Sequence, residues 1–165
     1  MIIKYNTKIV KNGQLLTPQE ASVKPTVTHN KDPKYLYTLI VHDPDAPAGN
    51  HLHWIVVNIP GVNIDKGIHA LPYNGPNPPP KSGTHHYIFQ LFKQTKKIGK
   101  SLMFKHIMPQ QDVLTKFDNI IGKPIDTGHF TSKFTNAKTI GRKNKTRKNK
   151  TRKNKTRKNK TRQHR

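Results

Sequence analysis

Apolar residues in this chain come in short, dense runs rather than at helical spacing. Residues 35–41 read Tyr-Leu-Tyr-Thr-Leu-Ile-Val. A run this short, aromatic and β-branched, with no polar alternate, predicts a strand covered on both faces. Residues 54–59 (Trp-Ile-Val-Val-Asn-Ile) and 87–92 (Tyr-Ile-Phe-Gln-Leu-Phe) predict two more. Residues 26–29 and 8–10 are weaker strand candidates, and 130–134 a candidate last strand. Residues 114–121 fit either a short helix or a strand. Turn chemistry separates the runs: Asp43-Pro44-Asp45-Ala46-Pro47-Ala48-Gly49, Pro60-Gly61, and a proline-rich stretch over 72–83. The 13 prolines and 10 glycines oppose a helical bundle. The predicted class is mainly β, a sandwich with few short helices.

After Ile140 the pattern ends. Residues 143–162 repeat Lys-Asn-Lys-Thr-Arg four times, and no apolar residue follows Ile140. A segment that buries nothing and repels itself is expected to be disordered. The chain therefore divides into a domain over 1–140 and a basic tail over 141–165. Asn-Lys-Thr triplets begin at Asn144, Asn149, Asn154 and Asn159. They match the glycosylation pattern and read as by-products of the repeat.

Charge sharpens this division. The chain holds 31 Lys+Arg against 8 Asp+Glu, a net of +23. Residues 141–165 hold 14 of the basic residues and no acidic one, which leaves 17 against 8, a net of +9, in the first 140. With no cysteine, disulfides, thiolate metal sites and Cys nucleophiles are excluded. Lys4, Lys8 and Lys11 interrupt the first apolar stretch, so no signal peptide is expected. No apolar run approaches the ~18 residues of a membrane span. The expected location is intracellular: cytoplasmic, or nuclear through the basic tail.

Polar residues gather where the predicted strands end. Asp43 and Asp45 follow the first, His51 and His53 open the second, His85 and His86 open the third. Alternation puts His51 and His53 on one face and sends His85 and His86 to opposite faces. If the three strands are neighbours, one aspartate and two histidines converge on one cavity, with the proline-rich stretch as its rim. The same residues also have a plain structural reading, as rim histidines and as Asp-Pro turn chemistry.

These segments, taken in order, resemble the phosphatidylethanolamine-binding protein family. Asp43-Pro44-Asp45-Ala46-Pro47 resembles its first signature, and residues 53–58 (His-Trp-Ile-Val-Val-Asn) the strand that follows. Gly75-Pro76, the prolines after them, and Gly83-Thr84-His85-His86-Tyr87-Ile88-Phe89 resemble its second. Upstream, Leu15-Leu16-Thr17-Pro18 and Lys24-Pro25-Thr26 fit as well. The resemblance covers roughly residues 13–92. It implies a β-sandwich with a small anion pocket at one end, walled by Asp43, His53, His85 and Tyr87. Prolines of the Pro78-Pro79-Pro80 run, Pro79 among them, and Gly83 would shape the rim. His53 and His85 would donate ring N–H groups to phosphate oxygens, more strongly as pH falls from 8 to 6, and Tyr87 its hydroxyl. Asp43 would fix a histidine tautomer or meet an ammonium. His86 replaces the family's usual arginine, so a rim contact is expected to be lost. Leu52 replaces a histidine, and the C-terminal helix has no counterpart.

The implied function is non-enzymatic binding of a phosphate-bearing small molecule or phospholipid head group, with no cofactor. Regulation of a protein partner such as a kinase goes with it. Two alternatives stay open. One is a metal-dependent enzyme built on His51, His53, His85 and the aspartates, although no zincin, nucleophile-elbow or P-loop motif is present. The other is binding of nucleic acid or an anionic membrane surface by the tail, without base stacking, since no aromatic residue interleaves it.

Overall fold

The computed structural model describes residues 1–47, 49–99, 104–106, 110–117 and 119–136. The three apolar runs become long strands that also take in the polar residues at their ends: β5 (Leu36–Asp43), β6 (His51–Pro60) and β8 (Thr84–Lys93). The weaker candidates form β2 (Lys8–Ile9), β4 (Thr26–Thr28) and β9 (Asp126–Lys133). Three strands had no apolar run to announce them: β1 (Ile2–Tyr5), β3 (Gln14–Leu15) and β7 (Ile68–Leu71). The undecided segment opens within a helix, α1 (Gln110–Lys116), and ends at Ile121 in an isolated bridge to Gln94. No helix among the described residues is long and apolar enough to cross a membrane. The repeat tail, and the disorder expected of it, lies outside the described residues.

Two sheets result. A three-stranded sheet has the order β2-β1-β4, and a six-stranded sheet the order β3-β9-β8-β5-β6-β7. The pairings are antiparallel except β3 with β9, which runs parallel. Both faces of the large sheet are covered, which explains the unbroken apolar runs. On one face Leu39, Val41, Trp54, Val56, Phe89 and Phe130 pack with Ile3, Tyr5 and Val27 of the small sheet. On the other, Ile40, Leu52, Ile55 and Phe92 pack with Phe104, Val113 and Phe117 on and around α1.

β6 carries two residues more than β5 can match. Tyr37 pairs with Ile59 but Leu39 with Val56, and Val41 pairs with Trp54 but His42 with Leu52. The first irregularity leaves Asn58 at φ 53°, in the left-handed region where asparagine is tolerated. The second skips His53. Trp54 and Val56 face the small sheet, so plain alternation would send His53 to the opposite face. The bulge turns it back, a common use of bulges near functional sites. Its ring accordingly lies 4.9 Å from that of Tyr87.

A buried polar knot holds the end of the sheet remote from His53. Gln94 Oε1 accepts from Thr38 Oγ1 (2.9 Å) and from the Asn58 backbone N–H (2.8 Å). Its Nε2 donates to Asn58 Oδ1 (3.0 Å) and to the Lys96 carbonyl (2.9 Å). Asn58 in turn grips Ile98, accepting from its N–H (2.8 Å) and donating to its carbonyl (2.7 Å). Strands β5 and β6 and the segment after β8 share this network.

Candidate ligand-binding site

Strand order makes the site. β8, β5 and β6 are neighbours, so the ends bearing His85, Asp43 and His53 lie side by side. On β5 the inward residues are odd-numbered: Tyr37, Leu39, Val41, and after them Asp43. On β8 they are Phe89, Tyr87 and then His85. Where the apolar core runs out, these inward positions turn polar and open a cavity of about 300 Å³. Asp43, His51, His53, His85 and Tyr87 line it, closed over by Asn74, Gly75 and the prolines Pro78 and Pro79. Gly75 is there for space: a Cβ would stand 2.9 Å from the Ala21 carbonyl oxygen and 3.0 Å from Ser22 Cα. Only glycine lets the rim lie this close to residues 21–22.

Asp43 and His85 are the deepest polar groups. His85 Nδ1 lies 2.7 Å from Asp43 Oδ2, with both side chains almost fully buried. The carboxylate takes the Nδ1–H and so fixes that end of the ring, the role expected of Asp43. Its other oxygen accepts from the Asp45 N–H at 2.9 Å. His85 Nε2 lies 2.8 Å from Ser82 Oγ. Both ring nitrogens of His85 are therefore engaged within the protein.

His53 is held differently. It donates Nδ1–H to the Asn74 carbonyl at 2.7 Å, and the Asn74 N–H returns a bond to the His53 carbonyl, also 2.7 Å. Burial pushes its pKa down to about 4, outweighing the upward pull of the Asn74 carbonyl. At neutral pH the ring is uncharged with its proton on Nδ1, so Nε2 accepts hydrogen bonds. Burial thus opposes the doubly protonated ring that would donate to phosphate from Nε2. Tyr87 keeps its proton well past neutrality, because burial pushes the phenol up. It can donate.

Gly83 sits at φ 90° but is not among the cavity-lining residues. His86, standing where the family usually has arginine, makes a contact of its own: Asp45 Oδ2 accepts from both its backbone N–H (2.8 Å) and its Nδ1 (2.7 Å). That pair lowers the Asp45 pKa, the side-chain bond to His86 being the main cause. His106 is a residue the sequence did not point to. It stacks on His51 at 5.7 Å and donates Nδ1–H to the Leu52 carbonyl at 2.8 Å. It lies between Leu102-Met103-Phe104 and Ile107-Met108, an apolar stretch that the strand reading passed over. Among the described residues no three His, Asp or Glu side chains gather in a way that could hold a metal ion.

Known proteins resemble the chain in sequence and in fold. The family model for phosphatidylethanolamine-binding protein matches residues 6–146. A CEN-like protein 4 of Nicotiana tabacum is 35% identical over 141 residues, covering 79% of this chain and 78% of that protein. A 26 kDa secreted antigen of Toxocara canis is 36% identical over 104 residues, covering 59% of this chain. The chain spans only 40% of the antigen's length. Among solved structures, a carboxypeptidase Y inhibitor complexed with its cognate proteinase has a similar fold. The TM-score is 0.66 at 20% identity, over 81% of this chain and 82% of the inhibitor.

Proposed function

The chain belongs to the phosphatidylethanolamine-binding protein family, and from that premise we propose that its cavity binds, without turnover, a small phosphorylated molecule or head group that carries both an anion and a proton donor. The observation that carries this reading is the split chemistry of the two histidines. Tyr87 offers a hydrogen to a phosphate oxygen, and His85 Nε2 does so once Ser82 leaves it, while neutral His53 offers a lone pair. A bare phosphate satisfies only the first set. Phosphoethanolamine satisfies both, its ammonium or a P–OH meeting His53 Nε2. A cavity of about 300 Å³ suits a head group and leaves lipid tails outside.

Calorimetric titration with phosphoethanolamine tests this. Tyr87→Phe removes one donor without changing shape and is expected to weaken binding about five- to tenfold. Unchanged affinity would remove Tyr87 from the site. Phosphorus NMR of the same mixture separates binder from enzyme: the ligand signal stays intact for a binder, and inorganic phosphate accumulates for a hydrolase. The tail supports a second, separate reading. Fourteen cations with no acidic residue over 141–165 favour polyanion binding there.

A further inference from the structure

Ser82 stands outside the cavity wall, yet it holds the ring nitrogen that a ligand needs. Its Oγ lies 2.8 Å from His85 Nε2 and 2.8 Å from the Pro79 carbonyl. Asp43 already takes the Nδ1–H, at 2.7 Å. Nε2 is thus the nitrogen of His85 left for a ligand oxygen, and a hydroxyl of the protein occupies it.

Proton accounting limits what this contact can be. A serine has one hydrogen to give. If it goes to Pro79, Oγ accepts from Nε2–H and the ring is an imidazolium facing the Asp43 carboxylate. If it goes to Nε2, the ring is neutral and offers the cavity no hydrogen there. In either case Ser82 uses the direction that a phosphate oxygen would need.

The backbone holds the hydroxyl in place. The Ser82 N–H bonds the Pro79 carbonyl at 3.3 Å, closing a turn over 79–82 with proline second. Lys81, third in the turn, sits at φ 66°, and Gly83 follows at φ 90°. A type II turn asks for glycine at that third place. Lysine there is strained, in a way that persists only where the surroundings impose it. The turn aims Ser82 at His85 in spite of its own sequence.

We propose that Ser82 is the gate of the cavity: its hydroxyl caps His85 Nε2, and an oxyanion binds by displacing it. The proposal rests on the phosphate reading of the same cavity. With its hydrogen given to the Pro79 carbonyl, Ser82 is a neutral acceptor toward Nε2, whereas a phosphate oxygen makes a charge-assisted bond roughly twice as strong. The exchange therefore favours an anion and gives a weak neutral acceptor nothing. Ser82 sets a threshold that a ligand must exceed.

The test uses the full chain, with inorganic phosphate as probe, in wild type and Ser82→Ala. Ser82 is exposed, so the variant keeps its core. Phosphate is expected to bind Ser82→Ala about five- to tenfold more tightly, since one competing hydrogen bond is gone. Wild type that binds phosphate while the variant binds it equally or more weakly overturns the gate and leaves the cavity reading standing. If neither protein binds phosphate, both fall. Ring ¹⁵N NMR gives an independent readout. Saturating phosphate is expected to bring the His85 Nε2 signal to the same position in both proteins. Different end points would mean that Ser82 stays in contact with the bound anion, and would also overturn the gate.

Discussion

Asp43 and His85, 42 positions apart in the chain, meet at 2.7 Å where the apolar interior of the sandwich gives way to a polar cavity. The pair sits on adjacent strands, each member the last inward-facing residue before the cavity. A carboxylate and an imidazole this deep support each other, because each supplies the partner for a polar atom that faces away from water.

Breaking that pair should therefore cost stability as well as binding. Asp43→Ala is expected to destabilise the fold by about 3 kcal/mol, the range for removing one member of a buried pair. Asp43→Asn keeps the shape and an acceptor and should cost less. Urea unfolding followed by tryptophan fluorescence measures both, Trp54 being the chain's one tryptophan and buried. A loss below about 1 kcal/mol for the alanine variant would place the pair's value in binding alone.

His53 gives the fold a defined acid sensitivity. Its pKa is pushed from the ordinary 6.5 to about 4 in the folded protein. Between these values the unfolded chain binds the proton and the folded one does not, so stability rises with pH across that window. The contribution is complete above pH 6.5 and is lost as pH falls toward 4, amounting to roughly 3 kcal/mol. His42 is also lowered, chiefly by burial, and acts in the same direction. Thermal unfolding from pH 7 to 4 is expected to show His53→Gln losing less stability than wild type. Parallel curves would assign the acid sensitivity elsewhere.

Gln94 is the centre of the polar knot at the other end of the sheet. Gln94→Leu fills similar space but strands the Asn58 N–H and the Thr38 hydroxyl in the interior. The expected loss is about 2–4 kcal/mol, each buried polar group left unpaired costing roughly 1–3. The cavity is built on the opposite strand ends, so phosphoethanolamine affinity in the folded variant should stay unchanged. Denaturant titration and calorimetry on the same preparation check both halves.

The tail and the domain should separate in function. Deleting residues 141–165 removes 14 cations and no apolar side chain. Midpoint temperature is expected to stay unchanged, while binding to duplex DNA of arbitrary sequence falls and its salt slope flattens. Equal salt slopes for the two proteins would move polyanion binding to the domain, which keeps its own net +9 over residues 1–140.

The long strands were legible because both faces of the large sheet are covered, so their apolar runs have no gaps. The site was legible for a related reason: Asp43, His53, His85 and Tyr87 stand where those runs stop, and the runs are neighbours. What the sequence withheld depends on single displaced residues. Alternation paired His51 with His53 but could not show that a bulge turns His53 to the side of its successor, Trp54. Nor could it show that His53 is neutral, since that follows from burial and from the Asn74 carbonyl, which arrives from a loop. Ser82 gave no sign either. A serine between lysine and glycine reads as ordinary turn composition, and only the distance to His85 gives it a role. Two-residue strands such as β3 are too short for any periodicity.

β3 pairs in parallel with β9, Gln14 against Phe130 and Leu15 against Thr131, and the Gly13 and Leu16 N–H groups bond the His129 and Thr131 carbonyls. The ribosome delivers the first of these partners long before the second. Until β9 emerges, residues 13–16 and the free side of β8 are open edges on a growing chain, the state in which β-proteins are most exposed to mispairing. Closure must wait for contacts between nearly opposite ends of the domain, and such non-local closure is slow, on the scale of milliseconds to seconds. Lys11, just before β3, and the brevity of β3 itself act during that interval, keeping an unfinished sheet from finding another one.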